Sequence, residues 1–167
     1  SMVLICSAVI IFNQLQAVQN RPVGFSKEEV IVVPVKNRDA LRNRFADVET
    51  ELRRLPGVKE VSAASNIPGR SFNQNEIFES THPENDIDAS ELVVDHDFLK
   101  VLNISLAEGR DFLRENPADA DNAFLISETT ARNLQLDHPV GKQITWERDG
   151  NALQATVIGV VKDFNFQ

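Results

Sequence analysis

The stretch from residue 29 to residue 64 constrains the fold more than any other part of the chain. It opens with Val30–Val35, an apolar run rich in β-branched residues that is typical of a buried strand. Five apolar residues then recur every three or four positions, which places them on one side of a helix: Leu41, Phe45, Val48, Leu52 and Leu55. Pro56-Gly57 ends this helix, and a second apolar run follows over Val58–Ala64. The stretch therefore predicts a β-α-β unit.

The two sides of this helix are expected to differ in burial. Phe45 and Val48 lie on the apolar side, so we expect them to be buried against the sheet. The charged side is expected to face water, and its residues are Arg42, Arg44, Asp47, Glu49, Glu51 and Arg53.

The charge balance and the single cysteine exclude several classes of function. The formal net charge is −8 and the computed pI is about 4.9. An acidic chain without a basic stripe is unsuited to nucleic acid or to an anionic lipid surface, since both require clustered Lys and Arg. Cys6 alone cannot form an internal disulfide or a site with several thiolate ligands.

The N-terminal apolar run is too short to cross a bilayer. Val3–Phe12 contains ten residues, whereas a span needs about 20. A helical stripe continues to Val18 and breaks over Asn20–Phe25, where Pro and Gly lie close together. We therefore expect residues 1–25 to be the end of a transmembrane helix and its stalk, with a buried core helix as the alternative.

The remainder of the chain predicts short strands and short helices. The strands are expected at Glu76–Ser80, Glu91–Val94, Ile104–Ala107, Ala123–Ile126, Gln143–Glu147 and Leu153–Val161. Asp97 can cap a short helix, and Ser127 can cap a second one over Glu128–Leu134. The polar segment up to Ser90 is expected to be an extended, partly mobile excursion, and 116–121 a loop.

Three positions that contain histidine are candidates for a metal-binding or acid–base role. Asp95–Asp97, with His96 between two carboxylates, is the only one that invites a metal or an acid–base hypothesis. Alternate residues of a strand face opposite sides, so both carboxylates would point away from the imidazole. His82 and His138 lie in polar turns beside prolines and are interpreted as solvated.

The other charged and glycine-containing segments also lack a catalytic pattern. Glu108 and Asp111 flank Arg110, which favours a local ion pair that fixes the turn. No nucleophile elbow, phosphate-binding loop or dinucleotide fingerprint is present. The sequence therefore predicts no catalytic, cofactor-binding or metal residue, no cofactor, and a protein that is not an enzyme.

Six short motifs, in this order and spacing, resemble one known family. They are Pro56-Gly57-Val58, Asn66-Ile67-Pro68-Gly69, Val94-Asp95-His96-Asp97-Phe98-Leu99, Glu108-Gly109-Arg110-Asp111-Phe112, Pro139-Val140-Gly141-Lys142 and Val157-Ile158-Gly159-Val160-Val161-Lys162-Asp163-Phe164. The chain resembles the extracytoplasmic core domain of MacB/FtsX-type ABC transporter permeases, most of all the group found in Bacteroidetes-like bacteria. The resemblance covers nearly everything from Phe12 to Gln167.

The resemblance implies an α+β fold with two lobes. Residues 26–64 would form half of a porter-like β-α-β lobe, and 65–167 a β-rich lobe of the kind called Sabre in MacB. The family usually continues with a second β-α-β half, and a single half would leave a sheet edge unpaired.

The function implied by the resemblance is mechanical. A cytoplasmic ATP-binding subunit or domain hydrolyses ATP, the membrane helices move, and the periplasmic domain responds in export or mechanotransmission. The implied location is the bacterial inner membrane with the domain facing the periplasm. The implied partners are the ATP-binding component, a second permease protomer and a periplasmic protein. The alternative is a sensor or ligand-binding domain of a membrane receptor, since a fold does not determine a function.

Overall fold

The computed structural model describes residues 7, 12, 29–36, 38–66, 74–148 and 151–164. Most of the apolar run over Val3–Phe12, and the whole break over Asn20–Phe25, lie outside these residues. Ser7 and Phe12 are described, and both are helical and exposed. Among the described residues, no helix combines the length and the apolar character that a bilayer span requires.

Six strands and four helices make up the described part of the chain. The strands are β1 Gln74–Glu79, β2 His82–Ser90, β3 Leu106–Gly109, β4 Ala123–Ser127, β5 Gln143–Arg148 and β6 Asn151–Val161. The helices are α1 Arg38–Arg53, α2 Phe98–Leu102, α3 Ala118–Asn122 and α4 Glu128–Asn133.

The strands form one sheet in the order β2-β1-β5-β6-β3, and every neighbouring pair along this path is antiparallel. β4 pairs with β6 in parallel. β6 is therefore the central strand of the sheet, since its eleven residues pair with three other strands. This mixed α/β architecture with a largely antiparallel sheet confirms the predicted α+β class.

Two hydrophobic clusters fill the space between the sheet and the helices α2 and α4. The first is centred on Val157 and Ile144, both almost fully buried, and its other buried members are Ile77, Ile126, Ala131, Leu134 and Val160. The second consists of Phe98, Leu99, Leu102, Ile104 and Val161, with Val30 partly buried against it. Neither cluster includes a described residue of α1.

The β-α-β prediction is right for the helix and wrong for its flanking strands. α1 runs over Arg38–Arg53 as the periodicity indicates. Val30–Val35 is not a strand, and Ile31 is 87% exposed. The second run contributes only an isolated bridge between Ala64 and Val94, so the strand predicted at Glu91–Val94 is also reduced to this bridge. β-branched residues favour an extended backbone, but a strand also needs a hydrogen-bonded partner.

The expected burial on α1 is wrong at four positions. Val48 and Leu52 are each 37% exposed, and Phe45 is only half-buried. Glu49, expected to face water, is buried at 5% exposure. The side chain that α1 buries most completely, among those described, is therefore a charged one.

Most of the remaining element predictions are confirmed. β1, β4, β5, β6, α2 and α4 lie within a few residues of the expected positions, and Ser127 caps α4 by accepting a hydrogen bond from the Thr130 amide at 3.0 Å. Two predictions are wrong. The supposed polar excursion contains β2, the edge strand of a hairpin with β1, and the supposed loop over 116–121 contains α3.

Candidate functional site

The most highly connected polar site lies where the C-terminal end of α1 meets the start of α2. Four charged side chains alternate in sign around a closed circuit, which we call the charge ring: Glu49, Arg53, Asp97 and Arg114. α1 supplies Glu49 and Arg53. Asp97 precedes α2, and Arg114 belongs to the loop between β3 and α3.

Each arginine of the charge ring binds both carboxylates. Arg53 Nη2 lies 3.0 Å from Glu49 Oε1 and 3.0 Å from Asp97 Oδ2. Arg114 Nη2 lies 2.9 Å from Glu49 Oε1 and 3.1 Å from Asp97 Oδ2. Arg53 also donates to Glu60 Oε2 at 2.6 Å, and Lys100 of α2 forms a further ion pair with Glu60. The ring thus joins α1 to two other elements through charge-assisted hydrogen bonds.

The pKa values of the ring and its neighbour reflect these contacts. The hydrogen bond from Arg114 lowers the pKa of Glu49 despite its burial, with Arg53 acting in the same direction. Lys100 and then Arg53 lower the pKa of Glu60. Conversely, Glu60 raises the pKa of Arg53, and Glu49 raises that of Arg114. All of these shifts favour the ionised forms of Glu49, Glu60, Arg53 and Arg114.

The loop that carries Arg114 is held in shape by a second buried carboxylate, Asp119. Arg110 binds Asp119 through two hydrogen bonds of 2.6 and 2.8 Å. Asp119 also accepts hydrogen bonds from the amide of Leu113 at 2.9 Å and from Asn116 at 2.7 Å. The predicted local ion pair of Arg110 with its sequence neighbours is therefore wrong, because the partner lies nine positions along the chain. The bidentate contact fixes the loop and so presents Arg114 to α1.

The backbone beside the charge ring is paired independently of it. The amide of Ser65 donates to Val93 O at 2.8 Å, and the amide of Asp95 donates to Ala63 O at 3.0 Å. The Asp95 carboxylate accepts from the Ser62 hydroxyl at 2.5 Å and from the Ala63 amide at 3.1 Å. Burial raises the pKa of Asp95, which this hydroxyl and amide partly offset. The chain that follows α1 is thus attached to the segment before α2.

The candidate residues from the sequence do not form a common site in the structure. Asp95 binds Ser62, whereas the Asp97 side chain makes no capping hydrogen bond and binds two arginines instead. His96 Nε2 is buried with no hydrogen-bond partner in the described residues. His82 is exposed and lies 3.1 Å from Glu84, and His138 is exposed. Within the described residues, no group of three or more His, Cys, Asp or Glu could hold a metal ion.

Sequence reasoning missed the charge ring itself. The spacing of four between Glu49 and Arg53 indicates a helical ion pair, but Arg114 lies 65 positions from Glu49. No local pattern signals such a contact. What this arrangement can do is hold elements together, since each carboxylate in it is already bound to a cation.

Three solved structures have a fold similar to that of this chain. The extracellular domain of the noncanonic ABC-type transporter YknZ from Gram-positive bacteria matches at 23% identity and a TM-score of 0.53, over 70% of this chain and 56% of that one. The periplasmic region of MacB from Actinobacillus actinomycetemcomitans matches at 13% identity and a TM-score of 0.51, over 72% of this chain and 52% of that one. A domain of a protein described as a permease from Porphyromonas gingivalis matches at 20% identity and a TM-score of 0.51, over 70% and 49%. No curated protein matches the sequence.

These likenesses show that the chain shares the fold of the three solved domains. The family model for the MacB-like periplasmic core domain matches residues 2–167, and the chain belongs to this family. It spans about half the length of the solved structures that it matches. The resemblance found in the six sequence motifs is therefore confirmed.

Proposed function

We propose that this domain is the periplasmic part of an ABC transporter permease in the bacterial inner membrane and that it acts mechanically. ATP hydrolysis by a cytoplasmic subunit or domain moves the membrane helices, and the domain relays this movement to export or to a periplasmic partner protein. The observation that carries the proposal is the family match over residues 2–167. We further propose that a second permease protomer completes the transporter and that the domain itself has no catalytic role.

Two features of the described residues support the two-lobe organisation, with 26–64 as half of a porter-like lobe and 65–167 as a Sabre-like lobe. The sheet and both clusters of buried residues lie in the second range. In the first range, Ile31 and Val33 are strongly exposed, as are Val48, Leu52 and Leu55 to a lesser degree. These exposed apolar side chains favour a covering element, as a second β-α-β half would supply.

The test is to make the connection between membrane and domain flexible in the full transporter. Inserting a flexible Gly/Ser stretch of about ten residues between Asn20 and Phe25 would let the helix move without moving the domain. We expect ATP hydrolysis to remain near the parent value and transport to fall to background, with both measured on the same membrane preparation. The matched control places the same insertion between the strands β5 and β6 and should retain transport. Parent-level transport from the Asn20–Phe25 insertion would refute mechanical relay and favour a sensor domain that needs only a tether.

A further inference from the structure

Helix α1 is attached to the rest of the domain in an unusual way. Most helices dock through an apolar stripe, yet α1 contributes no described residue to either hydrophobic cluster. Val48 and Leu52 remain 37% exposed, while Glu49 is buried at 5%. The contacts that fix α1 are therefore mainly electrostatic.

We infer that the charge ring is a releasable attachment that holds α1 against the segment before α2 and the β3–α3 loop, and that opening it frees α1 without unfolding the sheet. Two of its four ion pairs join α1 to the other two parts: Arg53 of α1 binds Asp97, and Arg114 binds Glu49 of α1. This inference concerns the domain alone and does not depend on the proposed transport role.

The exposure of the arginines makes the attachment releasable. The side chains of Arg53 and Arg114 are 34% and 50% exposed, so water and salt can compete for them. Glu49, in contrast, is buried and needs a cationic partner, because an unpaired buried carboxylate is strongly destabilising. When Arg114 is lost, Glu49 keeps only Arg53 of its own helix as a partner, and the end of α1 lowers its free energy by moving so that both side chains reach water.

A hinge for this movement lies directly after the helix. The turn over 54–57 separates α1 from the next segment, and Gly57 has a φ of 90°, with no atom within 4 Å of where a Cβ would stand. Beyond the turn, Ala63 and Ser65 are bonded to Asp95 and Val93 through the backbone, independently of the ring. α1 can therefore rotate about the turn while the following segment stays in place, once the ion pair between Arg53 and Glu60 across the turn has also opened.

Hydrogen–deuterium exchange of the whole chain tests the inference, because it reports local opening separately from global unfolding. In Arg114→Gln we expect amides of Asp47–Arg53 to exchange at least about tenfold faster, equivalent to about 1.4 kcal/mol. Amides of β6 should stay more strongly protected than those of α1 in the parent and in the variant. The matched control is Arg54→Gln. Arg54 is an exposed arginine directly after α1 that pairs with Glu51 of the helix, and its replacement should leave exchange in α1 unchanged.

A second variant and a salt series complete the test. Asp97→Asn removes the other carboxylate of the ring and should give the same pattern as Arg114→Gln. Raising the ionic strength from about 0.1 M to about 1 M should speed exchange of α1 in the parent, since the Debye length falls to about 3 Å, and have less effect in Arg114→Gln. Unchanged α1 exchange in both variants would overturn the inference, and so would equal protection of α1 and β6 in the parent, which would mean that α1 opens only when the whole domain unfolds.

Discussion

Glu49 is the residue at which burial and charge conflict most directly in this domain. Its carboxylate is largely withdrawn from water, which by itself disfavours ionisation, and yet two guanidinium groups keep it charged. The two arginines come from parts of the chain separated by 61 positions, 114 minus 53. The pKa of this one side chain therefore depends on whether α1 is in place.

The stability of the domain should accordingly depend on pH through Glu49. Arg114 and Arg53 hold the pKa of Glu49 below the ordinary value of 4.5. The ion pairs of Glu49 therefore stabilise the domain above that pH, and this stabilisation is lost as the pH falls through the folded-state pKa. We expect Glu49→Gln to lower the Tm at about pH 7, and we expect this difference from the parent to disappear as the pH falls through the folded-state pKa and the parent carboxylate becomes protonated. Thermal unfolding followed by circular dichroism across this range provides the measurement. A difference in Tm that stayed constant with pH would mean that the carboxylate is not held ionised by its partners.

Among the elements, β3 and β6 meet more closely than any ordinary side chain permits. Gly109 and Gly159 are register partners in the antiparallel pair. A Cβ on Gly109 would collide with Ile158 O and with the Cα of Gly159, and the φ of 78° adds strain for any L-residue. The close approach of the two backbones depends on both glycines.

We therefore expect Gly109→Ala to destabilise the domain by at least about 2 kcal/mol, since it combines a backbone clash with a strained φ. Gly141→Ala is the matched control: its φ is 90°, but no atom lies within 4 Å of the new Cβ. This control should cost only the strain of about 1–2 kcal/mol. Urea denaturation of both variants gives the comparison, and equal losses would show that β3 can move away from β6.

The success of prediction from the sequence also varied with the kind of element. Helix α4 and the strands β5 and β6 carry their own signals, a capping serine for the helix and apolar alternation for the strands, so local patterns suffice for them. β2 was missed because this edge strand is exposed over most of its length, and its apolar alternation is confined to Ile87 and Ala89. Val30–Val35 failed in the opposite way, because β-branching describes a preference and cannot supply the partner strand.

The candidate site could be predicted only in part, for a related reason. The proximity of Glu49 and Arg53 follows from helical spacing. The positions of Asp97 and Arg114 follow from how α2 and the β3–α3 loop pack, and the loop in turn depends on the buried Asp119. These are tertiary facts with no counterpart in a short window of sequence.

At the scale of the whole molecule, the distribution of buried residues divides the domain unequally. The fully buried members of both hydrophobic clusters lie between Ile77 and Val161. From the first part of the chain, Val30 is the described residue that packs against them, and only in part. The sheet therefore carries a complete core of its own, and α1 adds an attached element to it.

This division predicts that residues 58–167 fold without the preceding part. Starting at Val58 keeps the backbone pairing of Ala63 and Ser65 with the segment before α2. Among the described residues, removing the part before Val58 takes away the partial burial of Val30 and the ring contacts that Asp97 and Arg114 make with α1. Asp97 and Arg114 would then form a solvated pair. We expect one cooperative unfolding transition, with a free energy of unfolding lowered by no more than about 3 kcal/mol, the upper value for fully burying one aliphatic side chain. Thermal and urea unfolding of the fragment and the whole chain measure this, and Val157→Ala should lower the Tm of both by a similar amount because it creates the same cavity in each. A fragment without a cooperative transition would show that α1 and the residues before it are part of the core rather than an attachment to it.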